Sequence, residues 1–203
     1  MSARERVLAR LRCAVRHERP PPGSFVPAIA DSSWEAFAEM LRSVGGEPVG
    51  PVEPDALERT LADLCTDAGS GRVVAGPGVD GAWEQVSDEV APVSLADVDV
   101  AILRGSIGVA ENAAVALDGR HAPVRALPFL CERLVLLLEV RAIVPDMHAA
   151  IARMPVDATQ FHHFTWISGP SKTADIEQTL VLGAHAARSL AVVGVRSHAE
   201  SFR

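Results

Sequence analysis

The sequence predicts one α/β domain built on a parallel or mixed sheet, and three observations carry that expectation. Short apolar runs at Arg72–Ala75, Val98–Leu103, Ala113–Leu117 and Leu134–Leu138 lack the in–out alternation of a half-exposed strand. Such runs fit strands covered on both faces by crossover helices. Helical spacing bounded by cap and breaker residues precedes and follows them. A chain of 203 residues with 48% hydrophobic and 22% charged residues can fill one such domain and is neither disordered nor a coiled coil.

Taken in order, Arg4, Arg6, Arg10, Arg12, Arg16 and Arg19 surround Val7, Leu8, Leu11 and Val15 at the spacing of an amphipathic helix with a solvated basic face. Glu5, Glu18 and the shortage of serine do not fit a transit peptide, and no continuous apolar stretch fits a signal peptide. Pro20, Pro21, Pro22 and Gly23 cannot continue a helix, so His17 to Pro27 reads as an extended arm. Residues 1–27 are therefore expected to form a helix and arm, and residues 28–203 one folded domain.

Ser32 or Ser33 can cap a second helix, in which Trp34, Phe37, Ala38 and Leu41 share a face and which Gly45-Gly46 ends. A third helix is expected from Pro54 to Cys65, with Leu57, Leu61 and Leu64 aligned. The strands follow, and Leu134 to Leu138 is far too short to cross a bilayer. Val144-Pro145 forces an extended residue before a helix that runs to Met154, where Pro155 stops it. A strand over Phe164 to Ile167, a Gly-Pro turn, a helix with Ile176, Leu180 and Ala184 facing inward, and a last strand over Leu190 to Val195 complete the expected order.

A net charge of -7 repels phosphate backbones, so nucleic-acid binding is not expected. Cys13, Cys65 and Cys131 are too widely separated for a disulfide framework, a zinc site or an iron–sulfur cluster, which fits a reduced, cytoplasmic setting. No G-x-G-x-x-G follows a strand, so no cofactor is expected and redox chemistry would belong to a partner. His162 and His163 are adjacent on a strand and point to opposite faces. His148 starts a helix with no metal-ligand motif around it and His198 falls in a polar tail after the last strand, so no metal site is expected.

The segment from Ser168 to Glu177 is small, polar and placed between an expected strand and an expected helix. Ligands in open α/β sheets collect beyond the carboxyl ends of strands, and free N–H groups at a helix start attract anions. Gly169 would permit close approach and Lys172 would add a movable charge. Equally, Ser171 or Thr173 could cap the helix, with Asp175 and Glu177 complementing its dipole. Both readings stand at this point.

The stretch Ile167-Ser168-Gly169-Pro170-Ser171-Lys172-Thr173-Ala174-Asp175-Ile176-Glu177 resembles the closing signature of the lactate-utilization protein C, or LUD-domain, family. The likeness continues through Ala96 to Leu117 and Leu127 to Met154. This resemblance implies a three-layer α/β/α fold with a mostly parallel sheet, of the sugar-isomerase and CoA-transferase type. It also implies an accessory, non-redox role in oxidising L-lactate to pyruvate beside iron–sulfur partner proteins. Ala110-Glu111 matches the family's Ala-Glu, but Asn112-Ala113-Ala114 stands where the family has Thr-Gly-Thr, and alanine restricts φ where glycine does not. Gly183-Ala184-His185 keeps the glycine and histidine of the family's Gly-Val-His.

From these matches Glu111 is the candidate catalytic acid, since fold relatives place a carboxylate at a strand end where burial can raise its pKa. A pocket for a small anionic ligand is expected from Gly105, Ser106, Ser168, Gly169, Ser171, Lys172, Thr173, Asp175 and His185. Two other functions stay open. One is an independent enzyme acting on a phosphosugar or acyl-CoA, with Glu111 as base or nucleophile. The other is a regulatory module that senses a carboxylate and docks onto a partner through the arm.

Overall fold

In a computed structural model of the chain, residues 2–13, 31–67, 71–154, 164–174 and 180–197 are described. Helix α1 (Ala3–Cys13) carries Arg4, Arg6, Arg10 and Arg12 and buries no residue, leaving Val7 and Leu11 exposed, while Val15, Arg16 and Arg19 lie outside the described residues. The proline-rich arm lies outside the described residues.

Helix α2 (Trp34–Ser43) starts where the Ser33 side chain accepts from Ala36 N–H, and it buries the anticipated Trp34, Phe37, Ala38 and Leu41. Strand β1 (Glu47–Val52) follows, then helix α3 (Pro54–Asp67) and strands β2 (Arg72–Ala75) and β3 (Glu84–Gln85). Next come β4 (Val98–Gly105), β5 (Ile107–Val109), β6 (Ala114–Asp118), the one-turn helix α4 (Leu127–Leu130) and β7 (Arg133–Glu139). Strand β8 (Ile143–Val144) leads into helix α5 (Met147–Arg153), whose cap is Asp146, accepting from Ala149 N–H. Strands β9 (Phe164–Ile167), β10 (Lys172–Ala174), β11 (Leu180–Leu182) and β12 (Ser189–Val195) close the order.

The central sheet has six strands in the order β1-β12-β7-β4-β2-β3, and every pairing in it is parallel. Along β7 the residues alternate between two cores: Leu134, Leu136 and Leu138 face one, Val135 and Leu137 the other. That explains the unbroken apolar run, because neither face meets water. On one side Leu61 and Leu64 of α3 pack against Val100, Ile102 and Val193. On the other, α2 and α4 share the layer with a second sheet ordered β8-β5-β6-β9, which contributes Val115 and Leu117. Helix α5 covers the far side of this second sheet through Ala150, packed with Val109, Ala116 and Val144. One outer layer is thus part helix and part sheet.

Two joints hold α2 to the edge of the central sheet. The Trp34 indole N–H donates to Gly50 carbonyl at 3.1 Å. Its ring also lies over Gly194 of β12, where a Cβ would stand 2.8 Å from two ring carbons, so only glycine fits. Pro48 and Pro51 lie in β1, which is tolerable because β1 is an edge strand with one side free of ladder bonds.

The expected helix over Ile176, Leu180 and Ala184 is not formed where the chain is described. Instead Lys172, Thr173 and Ala174 pair antiparallel with Leu182, Val181 and Leu180. The β-branched Thr173 and Val181 suit a strand, and Gly183 at φ 79° ends it in a conformation no helix interior uses. Ile176 lies outside the described residues. Among the described residues no helix is long and apolar enough to cross a membrane.

Candidate functional site

The turn between β9 and β10 is held from three directions. Gly169 adopts φ 76°, and a Cβ there would meet the Val44 carbonyl oxygen at 2.9 Å, so the turn requires glycine. Ser168 Oγ donates to the Asn112 carbonyl at 2.6 Å. Ser171 N–H donates to the Ala187 carbonyl at 3.0 Å, and its own carbonyl accepts from Gly183 N–H at 3.1 Å. Lys172 Nζ donates to the Val44 carbonyl at 2.6 Å, placing a cation at the carboxyl end of α2, where the helix dipole favours it.

These ties shape a cleft of about 310 Å³. Its apolar wall comes from Pro128, Leu134, Trp166 and Leu190, and its polar side from Ser168, Ser171, Lys172, Thr173 and His185. Six of the residues singled out from the sequence, Ser168, Gly169, Ser171, Lys172, Thr173 and His185, therefore converge on one space. Lys172 and His185 are exposed at its mouth. Of the three N–H bonds on the Lys172 ammonium, the Val44 carbonyl takes one, so among the described residues two remain to meet an anion. Asp175, His162, His163 and His198 lie outside the described residues.

Gly105, Ser106 and Glu111 do not line this cleft. Gly105 ends β4 packed against Val115, where a side chain would collide. The N–H and Oγ of Ser106 both go to the Ala116 carbonyl, at 2.9 and 3.2 Å. The Glu111 carboxylate is exposed and accepts from Met147 N–H at 3.2 Å, so it fastens the first turn of α5. The link between the two groups runs through Asn112, whose carbonyl holds Ser168.

The Asn112 turn is built without a glycine. Ala113 takes φ 53°, the left-handed conformation that glycine would adopt freely, and the Asn112 side chain accepts from Ala114 N–H at 3.0 Å. Ala113 thus holds a left-handed turn that the Asn112 side-chain oxygen closes. Sequence reasoning overlooked Asn112 as an anchor, although an asparagine bonding two residues onward is a recognised turn former.

One expectation needs correcting. The Ser168 turn follows β9, which belongs to the second sheet, and its cleft abuts Leu134 and Leu190 at the amino ends of β7 and β12. The turn therefore neither sits at the carboxyl edge of the parallel sheet nor opens onto free N–H groups of a helix start. Among the described residues the polar side chains lining the cleft are those of Ser168, Ser171, Lys172, Thr173 and His185.

Two further environments bear on chemistry. Burial pushes the Cys65 thiol up and the Cys131 thiol up to about 12, so neither supplies a thiolate near neutral pH. Asp118, the last residue of β6, is fully buried, which works to raise its pKa. Hydrogen bonding to His121 and Arg120 prevails and holds the carboxyl well below the usual range.

A wholly parallel central sheet with helices on both sides, and a polar turn set against it by a second small sheet, defines the class: an α/β protein with an accessory-sheet cleft. Residues 82–195 match the LUD domain, and the chain belongs to the LUD-domain family. It is 29% identical over 150 residues to Lactate utilization protein C of Deinococcus radiodurans, covering 70% of this chain and 68% of that protein. Identity to Lactate utilization protein C of Geobacillus thermodenitrificans is 27% over 165 residues, covering 79% of this chain and 67% of the relative. The crystal structure of a DUF162 family protein from Deinococcus radiodurans has the same fold, with a TM-score of 0.60 over 80% of this chain and 95% of that one, at 17% identity.

Proposed function

We propose that the chain is an accessory, non-redox component of a cytoplasmic lactate-utilization system, supporting the oxidation of L-lactate to pyruvate by iron–sulfur partner proteins. In this reading the Ser168–Thr173 cleft holds a small carboxylate. The observation that carries it is the convergence of Ser168, Ser171, Lys172, Thr173 and His185 on one cleft with an apolar wall. A carboxylate would face the Lys172 ammonium and the hydroxyls, while a short carbon chain would lie on Leu134 and Leu190. The family, and relatives named for lactate utilization, supply the choice of acid. Glu111 serves by fixing α5 and the Asn112 turn that orients Ser168.

The test is thermal unfolding of the purified chain with L-lactate or pyruvate. At ten times the dissociation constant, a ligand raises stability by about 1.4 kcal/mol, and Lys172→Ala should remove the shift. No shift with either acid, or the same shift in Lys172→Ala, would refute the site. Deleting the gene should abolish lactate-dependent dye reduction in cell extracts; undiminished reduction would refute the pathway.

A further inference from the structure

Because every pairing in the central sheet is parallel, β1, β2, β4, β7 and β12 all end on the same edge. A cleft of about 650 Å³ opens there, roughly twice the volume of the Ser168 cleft and within the usual range for ligand pockets. This is the edge at which open α/β sheets receive ligands. Its floor is apolar, from Leu61 of α3 and Leu137 of β7.

The strand ends make one wall basic. Arg104, Arg141 and Arg196 all line the cleft. Glu139 lies between the first two, with Oε1 3.3 Å from Arg104 Nη2 and Oε2 2.7 Å from Arg141 Nε. One carboxylate against two guanidiniums leaves a surplus positive charge. Arg104 also donates to the Gly78 carbonyl at 3.1 Å, which fixes its plane. The terminal nitrogens of Arg141 make no hydrogen bond or ion pair among the described residues, so its two-pronged face is open to an oxyanion. Among the described residues Arg196 pairs with Glu53 at 2.8 Å through one nitrogen only.

The rest of the lining is acceptor-rich: Asp55 and Glu58 stand one helical turn apart on α3, and Asp80 follows β2. A plain anion would gain from the arginines and be repelled by these acids. A molecule with an oxyanion at one end and hydroxyl groups along its length satisfies both sets of groups, since hydroxyls donate to carboxylates. We infer that the carboxyl-edge cleft binds a polyhydroxylated organic anion, its carboxylate or phosphate gripped by Arg104 and Arg141 and its hydroxyls turned towards Asp55, Glu58 and Asp80.

Isothermal titration of the full chain tests this with four probes: gluconate, sorbitol 6-phosphate, sorbitol and hexanoate. Gluconate or sorbitol 6-phosphate should bind, and which does so identifies the oxyanion. Sorbitol and hexanoate, each lacking one half of the pattern, should bind at least roughly tenfold more weakly. Arg141→Ala, a change at an exposed side chain, should weaken binding roughly tenfold. Glu139→Gln should tighten it by freeing both arginines, an effect that mere loss of a structural ion pair would not give. Lys172→Ala should leave it unchanged, which separates this cleft from the proposed lactate site. Failure of both anionic probes to bind at about 10 mM, tighter binding of sorbitol or hexanoate, or undiminished affinity in Arg141→Ala would overturn the inference.

Discussion

Single residues carry two local stresses that can be measured. Ala113 is buried in a left-handed conformation that costs an L-residue with a Cβ about 1–2 kcal/mol. Ala113→Gly should therefore stabilise the fold by about 1 kcal/mol, less what the lost methyl contributed to packing. Urea unfolding reads this directly, and a fall in midpoint would show that packing outweighs strain. Asp118 gives the opposite kind of handle. Its pKa is depressed in the folded state, so the stability it contributes is present above its unfolded value, near 3.8, and drains away as pH falls through the folded one. Asp118→Asn should lower stability at pH 7 by about 1–3 kcal/mol and flatten the decline below pH 4. A variant that follows the same acid profile as the parent would remove Asp118 from that role. Neither stress was visible in the residues alone. The missing glycine at Ala113 was, however, noticeable, and the structure supplies its meaning.

At the scale of elements, sequence and structure agree where packing is one-sided in its demands. The apolar run Arg72–Ala75 is strand β2 to the residue, and Trp34, Phe37, Ala38 and Leu41 are the buried stripe of α2. Agreement fails where two periods fit the same letters. Leu180 and Ala184 continue a helical stripe, yet Thr173 and Val181 favour a strand, and the ladder from Lys172 to Ala174 takes precedence. Strands β3 and β8, two residues each, are too short to show any period. The joint between α2 and β12 offers a clean test of element packing. Gly194→Ala would push a methyl into the buried Trp34 ring, and should cost about 1–3 kcal/mol in chemical denaturation. Wild-type stability in that variant would mean the ring can move aside.

For the whole molecule, the alternation of cores along β7 explains why an α/β domain could be read from unbroken apolar runs. What could not be read was which sheet each strand joins. Strand β9 belongs to the second sheet, so the Ser168 turn that follows it lies away from the carboxyl edge of the parallel sheet. A signal for that edge was present: Arg104, Glu139 and Arg196 each stand at or just beyond the end of an apolar run, where a charge can escape a buried sheet. Recognising it requires knowing that those strands are parallel neighbours, and register is a property of the assembled fold.

Strands β7 and β12 run the whole way between the two clefts. Leu134 and Leu190 face the one beside Ser168, and Glu139 and Val195 the one beside Arg141. Seven residues at about 3.3 Å each make a girder roughly 20 Å long, more than twice the distance over which physiological salt muffles a charge. Guests at opposite ends of these girders would be deaf to each other's electrostatics. Any crosstalk in their affinities would have to travel as a movement of the girders themselves.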